Sequence, residues 1–163
     1  MKNSKEIYSE LLERYPVLET CKDEIYKAYK LIRECYCSGG KVLACGNGGS
    51  AADADHIVGE LMKGFLLRRT IDTPAENDDN EILSHLQGAL PAVSLNAHSA
   101  LLTAFANDLD FDYAYAQQVY GLGNKGDVLI ALSTSGNSAS VVNAVRAAGA
   151  KGVISVGITG NKD

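Results

Sequence analysis

The chain has 163 residues, of which 46% are hydrophobic and 21% charged, and its formal net charge is −5. This balance is typical of a soluble globular protein, and an acidic chain without a run of Lys or Arg lacks the electrostatic footprint of a direct nucleic-acid binder. There is no long apolar segment and no basic start followed by an apolar run, so the sequence predicts neither a membrane span nor a signal peptide and indicates a cytoplasmic protein. The four cysteines form no CxxC spacing and are expected to stay reduced.

The beginning of the chain is predicted to be helical. Apolar residues recur at helical spacing over residues 1–37, and the pattern breaks near Pro16, which indicates two amphipathic helices. Tyrosines are frequent in this segment, as is usual for core packing and also favoured at subunit interfaces. We therefore expect an N-terminal helical segment over residues 1–37 and a second unit over residues 38–163.

A glycine-rich turn follows the first predicted strand. Lys41–Gly46 is apolar after its first residue, which predicts a short buried strand, and the glycines of residues 46–50 permit a tight turn after it. Ser50 is placed to cap a helix that starts at Ala51, and Asp53 completes a capping box. The free N–H groups and positive dipole end of such a helix attract an anion such as phosphate. A tight connection without a ligand is the alternative, since glycine-rich turns alone are weak evidence.

Two ionisable residues lie further along the same helix. His56 and Glu60 are four residues apart and therefore share one helix face, where they offer a base and a metal ligand. The alternative is an exposed charged contact of little energetic consequence. The flanking Ile57, Val58 and Leu61 predict a mostly buried helix, in which an ionisable pair without a task would be costly. This reasoning favours a functional role for the pair.

The middle of the chain predicts one loop, one strand and two helices. The polar, acidic stretch Thr73–Glu81 is expected to be a loop or a mobile lid. Ala92–Leu95 predicts a short strand. Ser99–Phe105 and Phe111–Tyr120 predict helices, with the Asn-Asp pair at 107–108 between them.

A second strand and turn repeat the first arrangement. Val128–Ser133 predicts another buried strand, a helix follows to about Ala148, and Val153–Thr159 predicts a fourth strand. The turn after Val128–Ser133 contains Gly136 and four hydroxyl side chains, which are expected to lie beside the first N–H groups of the following helix. These hydroxyls belong to Ser133, Thr134, Ser135 and Ser138. Hydroxyls and amides bind phosphate without Lys or Arg, so the pattern favours a phosphate ester over the alternative, a Ser-rich loop that only caps a helix.

Two motifs carry a family resemblance. The run GNGGSAADADH with the following Glu60-Leu61, and the later STSGNSASV, resemble the sugar isomerase (SIS) domain of phosphoheptose isomerases. The resemblance extends to Ala92–Leu95 and to Asn107-Asp108 and covers most of residues 38–160. It implies an α/β fold of the SIS type, which is flavodoxin-like, with N-terminal helices before a doubly wound, open parallel sheet. Ligands are expected at the carboxyl ends of the strands.

The resemblance also implies an activity and a site. It implies a phosphosugar isomerase that converts sedoheptulose 7-phosphate to a heptose 7-phosphate, with Glu60 as the proton-abstracting base. His56 and Glu60 match positions that can hold zinc, and Asn47 and Asp108 would lie near the sugar. The other substrate-binding residues would come from both turns, namely Gly48, Gly49, Ser50, Ser133, Thr134, Ser135 and Ser138. The family typically forms a homotetramer with active sites at subunit contacts.

The chain departs from the family pattern in two places. It stops at Asp163, before the last helix in which the family carries a Gln and a second catalytic His as further zinc ligands, so it looks truncated at its C-terminus. Lys63-Gly64 stands where phosphoheptose isomerases usually carry Gly-Arg. His85 and His98 do not fall at the missing His, and we expect both to be structural or solvent-facing.

Two functions from different classes follow from these residues. Aldose–ketose isomerisation moves a proton between adjacent carbons and needs a carboxylate base, which Glu60 fits. The alternative is a non-catalytic phosphosugar-binding or protein-binding regulatory SIS module, which would not need His56 and Glu60. A nucleotide site is disfavoured because the first turn lacks the G-x-G-x-x-G spacing and no P-loop lysine follows. Two protein ligands are too few for a catalytic zinc ion, which normally has three, so others would come from elsewhere.

Overall fold

The computed structural model describes residues 3–71 and 80–160, over which four strands form one sheet connected by helices. The strands are β1 (Val42–Cys45), β2 (Ala92–Ser94), β3 (Val128–Ser133) and β4 (Ile154–Thr159). The α-helices are α1 (Ser4–Arg14), α2 (Lys22–Cys37), α3 (Gly49–Met62), α4 (Asn80–His85), α5 (Ser99–Asp108), α6 (Ala114–Leu122) and α7 (Ala139–Lys151). Short 3₁₀ segments occur at Pro16–Cys21 and Phe111–Tyr113.

The order of the strands creates a point at which the chain changes direction across the sheet. The strands lie in the order β2-β1-β3-β4, and every neighbouring pair is parallel. The chain leaves β1 towards β2 on one side and then crosses back to β3 on the other side. The carboxyl ends of β1 and β3 therefore flank a topological switch point, which is where open α/β sheets bind their ligands.

Helices cover both faces of the central strands β1 and β3, whereas the edge strand β4 is mostly exposed. Alternate strand residues point to opposite faces, so Leu43 and Leu129 pack with residues of α6 and α7, whereas Val42 and Val128 pack with residues of α2 and α3. Every residue of β1 and β3 is buried. Central strands that are buried on both sides are typical of parallel sheets with crossover helices. The structure confirms the predicted doubly wound α/β fold.

The N-terminal helices form as the apolar spacing predicts. The Asn3 side chain accepts the backbone N–H groups of Lys5 and Glu6, and the Glu6 carboxylate accepts the Asn3 N–H, which completes a capping box at α1. Pro16 begins the 3₁₀ segment that separates α1 from α2. α2 contributes the buried Cys35 to the core, while the division of the chain at residue 37 stays a prediction. No helix in the described ranges has the length and apolar character needed to cross a bilayer.

Several boundaries differ from the predicted ones. The strand predictions are right to within one residue at each end, and β3 agrees at both ends. The Asn-Asp pair at 107–108 lies inside the last turn of α5, not between helices, and Phe111–Tyr120 divides into a 3₁₀ turn and the start of α6. Most of the predicted loop or lid, residues 72–79, lies outside the described residues, and Glu81 is helical in α4.

Candidate active site

The first turn, residues 46–50, joins β1 to α3. Gly48 has φ +57° and ψ −122°, a combination that residues with a Cβ rarely adopt, and this lets the chain turn sharply enough for α3 to begin at Gly49. The predicted capping box is therefore wrong: Gly48 is the N-cap, and no side chain of the described residues caps this helix. Ser50 lies inside the first turn of α3, where its N–H donates to the Asn47 carbonyl at 3.1 Å. The Ala51 and Ala52 N–H groups both donate to the Gly48 carbonyl, so within the described residues the Gly49 N–H and the Ser50 hydroxyl are the donors of this helix start that are left for a ligand.

The second turn, residues 133–138, joins β3 to α7. Gly136 has φ +67° and donates its N–H to the Ser133 carbonyl at 2.9 Å, which closes the turn. Ser135 Oγ accepts the Asn137 N–H at 3.2 Å. Ser138 is the N-cap of α7, yet its side chain makes no capping hydrogen bond. The first N–H groups of α7 thus lie beside the hydroxyls of the turn, as they do at a phosphate-binding helix N-terminus.

Asn47 connects the two turns directly. Its Nδ2 donates to Ser138 Oγ at 2.7 Å and to Ser140 Oγ at 2.9 Å. The contact is possible because β1 and β3 are neighbours in the sheet, with Cys45 paired to Ala131. The structure therefore brings the Asn47 turn together with Ser138, across 91 residues of sequence. Ser140 is 2% exposed and belongs to this group although the sequence reasoning did not include it.

Tyr115, Asn96 and the Gly46 carbonyl form a hydrogen-bonded network that supports the Asn47 side chain. The Tyr115 hydroxyl on α6 donates to the Gly46 carbonyl at 2.7 Å and to Asn47 Oδ1 at 3.1 Å. Asn96 Nδ2 donates to the same carbonyl at 2.7 Å and to the Tyr115 hydroxyl at 2.6 Å. Burial raises the pKa of Tyr115 above its ordinary value, so the phenol is protonated and able to donate at neutral pH.

The sequence reasoning missed both Asn96 and Tyr115. A signal for Asn96 was present, because it follows the AVSL strand, and polar residues at the carboxyl ends of strands line the ligand crevice in this architecture. Tyr115 carries no such signal, since a tyrosine in an apolar helix is most simply a core residue. Ser94, 8% exposed, adds to the network by accepting the Asn96 N–H at 3.2 Å and donating to Asp55 of α3.

His56 and Glu60 lie on the solvent side of α3. His56 Nε2 is 3.5 Å from Glu60 Oε1, and the two side chains are 76% and 41% exposed. The expectation of a mostly buried helix is wrong for this face, because Ile57, Val58 and Leu61 form the opposite, partly buried stripe that packs on the sheet. Glu60 comes eleven residues after the start of α3, which places it about 16 Å along the helix axis from the first turn.

The described residues do not form a complete zinc site. His56 and Glu60 offer two donor atoms close together. No group of three or more His, Cys, Asp or Glu side chains converges anywhere in residues 3–71 or 80–160. A catalytic zinc ion normally takes three protein ligands, so these two residues alone do not fit one.

The predicted sugar-binding residue Asp108, and the two histidines that we expected to lie outside the site, have other surroundings. Asp108 is exposed at the end of α5, where its carboxylate accepts the Asn107 side chain at 2.7 Å. His98 is the N-cap of α5, and its Nδ1 accepts the Leu101 N–H at 3.2 Å, so it has the structural role that we expected. His85 is exposed at the end of α4. Neither histidine hydrogen-bonds to the first or second turn within the described residues.

Comparisons with known proteins agree with this geometry. The SIS domain family matches residues 7–160. The phosphoheptose isomerase of Desulfovibrio desulfuricans is 44% identical over 129 residues, which are 79% of this chain and 53% of that protein. The phosphoheptose isomerase of Methylibium petroleiphilum is 42% identical over 142 residues, 87% of this chain and 62% of that protein. The chain thus spans about half to two thirds of the length of these relatives.

Solved structures give the same result. A phosphoheptose isomerase from Neisseria gonorrhoeae superposes with a TM-score of 0.70 and 35% identity, over 95% of this chain and 68% of that one. One from Francisella tularensis superposes with a TM-score of 0.73 and 30% identity, over 99% of this chain and 78% of that one. By its fold, its two polar turns and these matches, the chain belongs to the SIS domain family, among the relatives of phosphoheptose isomerases.

Proposed function

We propose that this chain is a phosphosugar isomerase that interconverts sedoheptulose 7-phosphate and a heptose 7-phosphate. The observation that carries the proposal is the pair of hydrogen bonds from Asn47 to Ser138 and Ser140, which joins the two polar turns at the switch point of the sheet. Relatives that are 34–44% identical to this chain over the aligned residues are phosphoheptose isomerases, which supports the same substrate class here.

The phosphate is held in this proposal by neutral donors. Neither residues 46–50 nor residues 133–138 contain a Lys or Arg, so the dianion is bound by hydroxyls and by the N–H groups at the starts of α3 and α7. The donors are Gly48, Gly49, Ser50, Ser133, Thr134, Ser135 and Ser138. Asn47 and Asp108 would face the sugar, which requires Asp108 to approach from α5.

Glu60 is the proposed base. In the ketose it takes a proton from C1 and returns it to C2, while the hydroxyl proton moves from the oxygen on C1 to the oxygen on C2. Within one chain Glu60 lies about 16 Å along α3 from the first turn, and 41% of its side chain is exposed. We therefore include a second copy in the proposal: a homo-oligomer, with a tetramer as the expected form, brings the Glu60 face of one copy towards the turns of another.

Zinc is a separate element of the proposal. An ion bound by His56 and Glu60 would polarise the sugar carbonyl, and it would take its remaining ligands from outside the described residues. The proton transfer by Glu60 does not depend on it. A cytoplasmic location is also proposed, and it is supported by four cysteines that are all free in the structure.

Turnover of sedoheptulose 7-phosphate by the wild-type chain and by Glu60→Gln tests this function. We expect Glu60→Gln to lower turnover at least a hundredfold while it keeps the thermal shift that the substrate induces, because the base is distant from the phosphate turns. Glu24→Gln, an exposed change on α2, is the matched control and should leave both readouts unchanged. Parallel assays with added zinc and with a chelator measure the contribution of the metal.

The outcomes separate the two functional classes. A substrate-induced thermal shift without turnover, with and without zinc, would contradict the enzyme and favour the non-catalytic phosphosugar-binding module. Turnover that survives in Glu60→Gln would remove Glu60 as the base while leaving the substrate class intact. Absence of both turnover and thermal shift would overturn the phosphosugar assignment itself.

A further inference from the structure

We propose that Tyr115 is a positioning residue for the phosphate site: its hydroxyl fixes the Asn47 side-chain amide so that the Ser138 hydroxyl proton is available to a phosphate ester. The inference rests on the proposed function, since it names how that site is prepared for its ligand. Tyr115 does not touch the ligand itself. It lies 2% exposed under the first turn and acts through Asn47.

Four hydrogen bonds link Tyr115, Asn96, Asn47 and the Gly46 carbonyl. The Gly46 carbonyl can only accept, and Asn96 Nδ2 already donates to it at 2.7 Å. Asn96 Nδ2 also donates to the Tyr115 oxygen at 2.6 Å, so the phenol accepts there and keeps one proton to donate. That one proton is shared between the Gly46 carbonyl at 2.7 Å and Asn47 Oδ1 at 3.1 Å, and the second contact favours the amide orientation in which Oδ1 faces the phenol.

This assignment fixes the other end of the Asn47 amide. With Oδ1 facing Tyr115, Nδ2 faces the second turn and donates to Ser138 and Ser140. Both serine oxygens therefore accept and keep their own protons for other partners. The Oγ of the buried Ser140 lies 3.5 Å from Ser138 Oγ and can donate its proton to that oxygen. The Ser138 proton then points out of the turn, where a ligand can accept it.

The opposite amide orientation would remove this donor. A rotated Asn47 would present Oδ1 to the serines, which would then donate to it instead of to an anion, and a carbonyl oxygen would face the phosphate. Tyr115→Phe removes the proton that Asn47 Oδ1 shares with the Gly46 carbonyl, and with it the contact that favours the first orientation. It retains the ring, which makes an edge-to-face contact with Phe111 at 5.7 Å between centroids, so the core packing is kept.

The experiment is a double-mutant cycle on ligand affinity. Dissociation constants for inorganic phosphate and for sedoheptulose 7-phosphate are measured by calorimetry for wild type, Tyr115→Phe, Asn47→Ala and the double variant, with melting temperatures alongside. We expect Tyr115→Phe to weaken binding about tenfold, as for loss of a hydrogen bond to a charged partner. The double variant should bind like Asn47→Ala alone, because Tyr115 acts only through Asn47. Tyr113→Phe, at an exposed tyrosine, should change nothing.

A second variant keeps the test decisive if Tyr115→Phe unfolds. Asn96→Ala leaves the Gly46 carbonyl without its amide donor and draws the Tyr115 proton towards that carbonyl, so it should weaken phosphate binding through the same route. Unchanged affinity in both variants overturns the inference, and so do losses that add independently to that of Asn47→Ala. If wild type binds neither probe, the proposed function fails together with the inference. Binding by wild type with unaffected variants defeats the inference alone.

Discussion

Lys41 and Asp127 are joined by two hydrogen bonds at the amino ends of β1 and β3. Lys41 Nζ lies 2.6 Å from Asp127 Oδ2, and the Lys41 backbone N–H donates to Oδ1 at 2.9 Å. Asp127 Oδ2 also accepts the Asn124 N–H at 2.8 Å, and the residue is only 3% exposed. β1 and β3, which carry the polar turns at their carboxyl ends, are thus linked to each other at their amino ends.

Removing this carboxylate should destabilise the fold without touching the site. We expect Asp127→Ala to lower the free energy of unfolding by about 3 kcal/mol, because it leaves the Lys41 ammonium and two N–H groups without their acceptor. Urea denaturation measures the loss, and Glu24→Gln on the exposed side of α2 is the control. Phosphate affinity should be unchanged at temperatures where the variant stays folded. A loss below about 0.5 kcal/mol would show that the pair resembles an ordinary surface contact.

The same pair predicts a pH dependence. Burial alone would raise the pKa of Asp127, but hydrogen bonds from the Lys41 side chain and backbone and from Asn124 bring it below its ordinary value. A group whose folded pKa is depressed stabilises the fold above its unfolded pKa of about 3.9 and loses that contribution as the pH falls through the folded pKa. The stability difference between wild type and Asp127→Asn should therefore be constant from about pH 5 to 8 and shrink below about pH 4. A difference that grows on acidification would contradict this assignment.

The cysteines should react with thiol reagents in an order set by burial. Burial raises the pKa of Cys45 to about 12, so at pH 8 only about one thiol in ten thousand is ionised. Burial also raises the pKa of Cys35, whereas Cys37 is exposed. We expect a colorimetric disulfide reagent to modify the exposed Cys37 rapidly and the half-buried Cys21 more slowly, and to reach the buried Cys35 and Cys45 only after denaturant is added. Cys37→Ser should remove the fast phase, and a fast phase that persists would place a reactive thiol elsewhere.

A methyl group at Gly48 should damage the first turn. Gly48→Ala forces a side chain into φ +57° and ψ −122°, at an expected cost of about 1 to 3 kcal/mol in the free energy of unfolding. Phosphate affinity should fall as well, because the N–H groups of the turn move. Gly149→Ala is the matched control: it lies in α7, a Cβ there meets nothing within 4 Å, and it should stabilise the helix by up to about 1 kcal/mol. Thermal melts of the two variants in opposite directions would support the assignment, and equal effects would contradict it.

His98 should behave as a helix cap and not as a catalytic group. His98→Ala removes the acceptor of the Leu101 N–H and should cost about 1 kcal/mol, whereas His98→Asn should recover most of the loss. Turnover measured well below the melting temperature should be the same for both variants. His85→Ala, at an exposed position on α4, should change neither quantity. A selective loss of turnover in His98→Asn would assign this residue to the site.

The strands were predictable because each is a short apolar run bounded by glycine or polar residues, and the prediction for β3 matches the structure at both ends. The predicted cap at Ser50 failed because local spacing does not report the backbone angles of Gly48, which start the helix earlier. The burial of α3 was misjudged because apolar and ionisable residues alternate there, and sequence spacing alone did not say that the His56 side would face solvent while the Val58 side packs on the sheet.

The sequence predicted the two turns of the candidate site but not the residues that support them. Glycines and hydroxyls at strand ends are a local signal that drew attention to both turns, and the structure joins them by the hydrogen bond from Asn47 to Ser138. Tyr115 reaches Gly46 across 69 residues of sequence, and no spacing rule connects residues so far apart. Such contacts are set by the strand order, which the sequence alone left to the family resemblance.

Because β1 and β3 are wholly buried, the two turns at their carboxyl ends are anchored to strands that we expect to open last. Amide hydrogens in these strands should exchange through global unfolding and not through local fluctuations. A ligand held by the turns therefore stabilises the whole fold by mass action. Phosphate binding and folding are therefore thermodynamically coupled. The exposed face with His56 and Glu60 lies outside this buried part and can adjust to a second surface that covers it.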